Sequence, residues 1–226
     1  KKGNIEESKK GFLMPVMLHE MTHLFDYALR PDPQYHRGLS EMDQDLLDVI
    51  EDCQINPDEV ESIKKEMEQK VSGYYGATQI MNSIASEANR LTRDYKKQSY
   101  EYSEYVEKHN KLVEEYNEYA KKADKEHSNY MKEEQFVDIL DAITEGEFYG
   151  NNIGGHGKSY YNEKSYNNDR YTRKVTANKA KEIFADYVAL SIYSPENVER
   201  LKKLFPKLVE QLDKTMDKIL YNLGAE

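Results

Sequence analysis

The chain has one cysteine, Cys53, and no tryptophan in 226 residues. A single thiol excludes an internal disulfide framework and a cysteine-rich zinc site, while leaving the compartment open. Positive charge is also short: 32 Lys and Arg stand against 42 Asp and Glu, for a net charge of −10 and a pI near 5.2. A general nucleic-acid binder needs a basic face to neutralise phosphates, so this balance argues against that class of partner. No stretch approaches the roughly 18 apolar residues of a membrane span, and no signal-peptide pattern opens the chain. A first residue of lysine fits a processed chain or an excised domain. Glycine and proline are missing from Ala77 to Glu145, so nothing there punctuates a helix.

What is present begins with Leu18-His-Glu-Met-Thr-His-Leu-Phe-Asp26. At about 100° per residue, His19, His23 and Asp26 share a narrow arc of one helix face. Met17, Leu18, Met21, Leu24, Phe25 and Ala28 fall on the other side. The pattern predicts a helix that buries those apolar residues and offers two imidazoles and a carboxylate from its opposite wall. His-Glu-x-x-His on a helix is the zinc-peptidase signature, both imidazoles ligating Zn²⁺ and the glutamate, here Glu20, activating its water. Five-residue patterns also arise by chance, the pair then pointing at solvent or hydrogen-bonding in a core. Context favours the metal. Pro15 suits a first helical position, Pro31 and Pro33 supply a stop, and two of only six histidines stack here.

Such a site needs a third protein ligand and an open fourth position. Lys181-Glu-Ile-Phe-Ala-Asp-Tyr-Val-Ala-Leu190 supplies the best candidate. Glu182 and Asp186 sit four apart on one face with Ala185 and Ala189 beside them, and small alanines let two helices approach closely. Ile183, Phe184, Tyr187, Val188 and Leu190 cover the remaining sides. An ordinary amphipathic helix with solvated carboxylates is the plainer alternative for Glu182 alone.

Val16-Met-Leu-His-Glu-x-x-His-x-x-Asp26 together with Glu182-Ile-Phe-Ala-Asp186 resembles the gluzincin metallopeptidases related to anthrax lethal factor, a group that includes the clostridial Pro-Pro endopeptidases. The similarity continues into Ser194-Pro-Glu-Asn-Val-Glu-Arg-Leu-Lys-Lys-Leu-Phe-Pro206. Gly155-His-Gly-Lys-Ser-Tyr-Tyr161 and the Glu-Ile-Phe-Ala block are similar, more loosely, to domains attached to minor head proteins of phages infecting Gram-positive bacteria. The resemblance implies one zinc ion held by His19, His23 and Glu182, with Glu20 as general base and proton shuttle. It implies Asp26 or Asp186 as a carboxylate that orients an imidazole. It also implies a tyrosine that stabilises the oxyanion shortly before the ligand glutamate. Tyr171 is the favoured residue, eleven positions upstream, with Tyr166 and His156 as alternatives; Val175 stands nearer the family's place. The implied activity is endopeptidase cleavage of a protein or peptide substrate, in a secreted or virion-associated protein. The rival reading is a non-catalytic structural or adaptor domain of a phage or secreted assembly, and a third is a toxin domain cut from a larger protein.

The expected architecture is mainly α: a zincin-like domain with a reduced sheet and a long coiled-coil-like helical insertion. Residues 1–76 form an N-terminal half, 77–135 the insertion and 136–226 a C-terminal half. Helix one is expected at about 12–30, a second capped by Ser40 and running to Gln54, and a third from Asn56-Pro57 to near Ser72-Gly73. From Ala77 to Ala123 apolar and tyrosine residues alternate four and three apart, a heptad interrupted by Gln98 and His109. A single helix over 77–130 would span roughly 80 Å, so a protruding helix or a hairpin broken near Lys121–Asn129 is expected. Substrate capture, oligomerisation and docking to a protein partner are open roles for it. Residues 146–176, rich in glycine, asparagine and tyrosine, read as an irregular loop with a short hairpin lining a substrate cleft. Ser194-Pro195 and Pro206 open two last helices, the final one ending at Leu223-Gly224. The sheet is expected from 1–11 and 146–176, or from sequence that precedes this chain.

Overall fold

A computed structural model describes residues 4–29, 38–97, 100–149, 153–161 and 172–224. Seven helices account for most of them, and no described residue lies in a strand: α1 Asn4–Ala28, α2 Gln44–Glu51, α3 Pro57–Lys96, α4 Tyr102–Ile143, α5 Thr172–Tyr193, α6 Pro195–Leu204 and α7 Pro206–Asn222. The mainly helical class expected from the sequence is therefore present. No strand forms over the described residues of 1–11, because α1 is already helical from Asn4 and carries Pro15 in its interior rather than at its first position.

The chain divides into two compact units, one of Lys1–Met67 with Met131–Glu226, the other Glu68–Tyr130. In the larger unit α5 is the central element. Ala180, Ile183, Phe184, Ala185, Tyr187, Ala189 and Leu190 are all buried, so the helix is covered on nearly every side. α1 packs along it, α2 touches α5 and α7, and α6 bridges α5 and α7. Phe136, Val137, Ile139 and Leu140 near the end of α4 add fully buried side chains, with Leu46, Leu201, Leu208 and Leu212. Arg200 of α6 donates to Glu133 of α4 and to Glu66 of α3 at 2.9 Å each.

The orientation of α1 is the reverse of the one its apolar pattern predicts. Pro15, Thr22 and Asp26 are buried, whereas Met17, Met21, Phe25 and especially Leu24 (69% exposed) face outward. The physical reason is the strength of the buried polar contacts made by the opposite arc, which face α5 and a loop. Ser40 serves that arc too. Rather than capping a helix, its amide and hydroxyl donate to the Asp26 carboxylate at 2.8 and 2.6 Å, and Asp43 is the residue before α2. Gly38 fits close to that carboxylate, where a Cβ would lie 2.1 Å from Asp26 Oδ2.

Asn56-Pro57 opens α3 as expected, the Asp58 amide donating to Asn56 Oδ1 at 2.9 Å. The helix does not stop at Gly73. It runs on through Gly76 to Lys96, and the break falls at 97–101 instead of 121–129. Within the smaller unit the two helices run antiparallel: Tyr95 stacks on Tyr105 with centroids 4.4 Å apart, and Tyr74 meets His127 at 4.8 Å. Ala77, Ile84, Leu91 and Ala123 of the heptad are buried there, so the predicted stripe is the seam of a hairpin.

Leu190→Ala should cost about 2–5 kcal/mol because it hollows the centre of the larger unit, while Leu24→Ala should stay within about 0.5 kcal/mol. Urea unfolding midpoints of the two variants check this; an equal loss from Leu24→Ala would mean that α1 buries its apolar side after all.

Candidate metal centre

α1 packs against α5. Ala185 and Ala189 are fully buried, and acidic and imidazole side chains meet at the interface. His19 Nε2 and His23 Nε2 lie 3.0 Å apart, and each is 3.4 Å from Glu182 Oε2. Ligand atoms around a tetrahedral ion with bonds of about 2.1 Å are separated by about 3.4 Å, so the three edges fit one small divalent ion. Among the described residues, His19, His23 and Glu182 form the one group of three or more such side chains that could hold a metal.

The surroundings prepare each ligand. His19 Nδ1 is 2.6 Å from Asp186 Oδ1, a contact that assigns the ring proton to Nδ1 and turns Nε2 toward the other two ligands. Burial alone would lower the His19 pKa; the Asp186 and Glu182 carboxylates outweigh it and raise it to about 10. Burial would likewise raise the Glu182 pKa, but His19, His23, Lys181 and Tyr160 pull it far below the usual carboxylate range. Without a metal, then, a proton on His19 balances the carboxylates, and an ion held by these residues would displace it. Asp186, buried beside them, has its own pKa raised by desolvation despite the imidazole.

Asp26 has a different job from the imidazole support expected of it. Its two oxygens are taken by Ser40, so it fastens the loop after α1. Its pKa is raised, burial outweighing those donors. His23 Nδ1 is buried with no hydrogen-bond partner among the described residues. Glu20 follows His19 on α1 and is solvent-exposed, about 60° round the helix from His23. Tyr171 and Tyr166 lie outside the described residues.

His156 approaches from a loop that two carboxylates hold in place. Asp141, fully buried in α4, accepts the amides of Phe148, His156 and Gly157 at 2.9, 2.8 and 3.0 Å. One turn earlier, Asp138 accepts the Gly155 amide at 2.6 Å. Gly155 has φ +88°, and a Cβ there would sit 2.6 Å from the Asp141 carboxylate, so only glycine fits. His156 Nε2 ends 3.8 Å from Glu182 Oε2. Four residues on, the Tyr160 hydroxyl donates to Glu182 Oε1 at 2.7 Å. Sequence patterns alone give Tyr160, Asp138 and Asp141 no role at the site. Asp138 and Asp141, one helical turn apart ahead of a glycine cluster, were the available signal.

Comparison with protein-family models, with curated proteins and with solved structures gives no match.

Linkage gives the metal-free chain a definite pH profile. The raised His19 pKa contributes stability fully below its ordinary value of 6.5, and that part is lost as pH rises through about 10. The lowered Glu182 pKa contributes above 4.5 and is lost on acidification. Melting temperatures in chelator should therefore fall between pH 7 and 10, and Asp186→Asn should flatten that alkaline limb. An unchanged limb in Asp186→Asn would contradict the assignment.

Proposed function

We propose that this chain is a zinc-dependent endopeptidase of the His-Glu-x-x-His…Glu type, with the fold relationship to lethal-factor-like gluzincins that its motifs suggest. The reading is supported above all by three ligand atoms brought to tetrahedral spacing from residues 19, 23 and 182, with an exposed glutamate next to them.

His19, His23 and Glu182 would hold the ion, two neutral imidazoles and one carboxylate leaving it net positive. Zn²⁺ in such a setting polarises a scissile carbonyl and acidifies water toward a pKa of about 7. Glu20 would act as the general base and proton shuttle, taking a proton from a water bound there and returning it to the departing amine. Its exposure suits both tasks, since a peptide and a water reach it from solvent. Asp186 keeps His19 oriented through Nδ1. The carbonyl oxygen needs a donor as negative charge builds on it. His156, beside Glu182 on a loop fixed by Asp138 and Asp141, is the better supported candidate, and Tyr171 is the alternative. A secreted or virion-associated setting goes with the resemblance, and no helix among the described residues is long and apolar enough to cross a membrane.

The separate helical unit Glu68–Tyr130 favours a second reading, in which the domain positions that hairpin for a protein partner and hydrolyses nothing. One experiment divides the two. Glu20→Gln should keep zinc stoichiometry and melting temperature while peptide-library cleavage falls by about 10²–10⁴-fold, and chelator should abolish wild-type cleavage. A Glu20→Gln protein as active as wild type defeats the peptidase reading, and a zinc-loaded wild type that cleaves nothing favours the adaptor.

A further inference from the structure

The two oxygens of Glu182 live in different chemical settings. Oε2 faces the imidazoles, 3.4 Å from both His19 Nε2 and His23 Nε2. Oε1 faces away from them: it accepts the Tyr160 hydroxyl at 2.7 Å and lies 3.0 Å from Lys181 Nζ. A carboxylate that binds a divalent ion through both oxygens must turn Oε1 toward it and release both donors. Glu182 is only 4% exposed, so water is poorly placed to replace them.

The geometry points to Tyr160 and Lys181 as positioning residues that hold Glu182 to a metal through one oxygen alone, keeping a coordination position open. This rests on the metal reading of His19, His23 and Glu182, but not on peptide hydrolysis.

The donors are fixed where they stand. The Tyr160 ring stacks on His156 with centroids 4.6 Å apart and planes 25° from parallel, and meets Tyr161 edge-on at 5.2 Å. Tyr161 is itself buried. The backbone that carries these rings is held through the Gly155, His156 and Gly157 amides by Asp138 and Asp141. Tyr160 therefore cannot follow Oε1 toward an ion without dislodging a stacked neighbour. Lys181 precedes Glu182 in α5, so the same helical turn carries donor and acceptor, and its side chain is only 19% exposed. A charged donor and a neutral one on a single oxygen hold that oxygen in place and leave Oε2 as an oriented, single-atom ligand. The ion keeps more of its positive charge for whatever occupies its open side. Asp186 gives His19 a comparable partner, so the two ligands best set by other residues are those joined across the α1–α5 contact.

The test uses Co²⁺ and Zn²⁺ on the whole chain. Four-coordinate Co²⁺ absorbs visible light far more strongly than five- or six-coordinate Co²⁺, so band intensity reports whether Glu182 binds through one oxygen or two. Wild type should give an intense four-coordinate band. Tyr160→Phe keeps the ring stack but removes the hydroxyl: the band should weaken, and the zinc Kd from chelator competition should rise by about 10–100-fold. Lys181→Met, which leaves the aromatic cluster intact, should change both readouts in the same direction, and the double variant should change them most. Thermal unfolding of the metal-free variants separates a local change from a loss of fold. Band and Kd unchanged in all three variants would overturn the inference while leaving the metal site standing, as would a wild-type band already five-coordinate. A wild type that takes up neither ion removes the metal reading and this inference with it.

Discussion

The close approach of α1 to α5 is the constraint on which the rest depends. Ala185 and Ala189 are fully buried on α5, and His19, Glu182 and Asp186 meet where α1 packs on that helix. Two carboxylates and two imidazoles at this depth cannot all keep their ordinary charge states. Removing charged groups from water costs more than their attraction returns unless geometry and further hydrogen bonds are good. Here the geometry is good, and the remaining imbalance is met by a proton on His19, held to a pKa of about 10 by its carboxylate neighbours. A divalent cation does the same electrostatic work more completely, which is the physical reason to read the cluster as a metal centre rather than as a buried ion pair.

The acidic residues around it sort by what they accept. Asp138 and Asp141 accept amides and so determine where His156 and Tyr160 stand. Asp186 accepts an imidazole proton. Glu182 offers one oxygen to the histidines and the other to Tyr160 and Lys181. Asp26 secures the turn at Gly38–Ser40. Burial holds the Asp138 pKa well above the usual range, with Asp186 and Glu134 adding to it. Net negative charge in this region is thus limited by shared protons and amide donors.

Much of this was legible in the sequence, and the reasons for the rest are specific. His19, His23 and Glu182 could be named because helical spacing and the small Ala185 and Ala189 are local signals. The mainly helical class followed from the long stretch without glycine or proline. The facing of α1 is not legible in the sequence: Met17, Met21 and Leu24 form an apolar arc, yet all three are exposed. Buried polar contacts with α5 and Ser40, invisible in one sequence, decide the orientation instead. The hairpin break was misplaced because 97–101 carries no glycine or proline. Gly73, the expected stop, sits inside α3 within reach of the Glu126 side chain. Tyr160 was hidden among 19 tyrosines; only its distance to Glu182 distinguishes it.

The most direct measurement is anomalous diffraction at the zinc edge from crystals grown with one equivalent of zinc. The account expects a single peak bonded to His19 Nε2, His23 Nε2 and Glu182 Oε2 at about 2.0–2.2 Å, with Tyr160 still donating to Glu182 Oε1. A peak elsewhere, or none between α1 and α5, would contradict it.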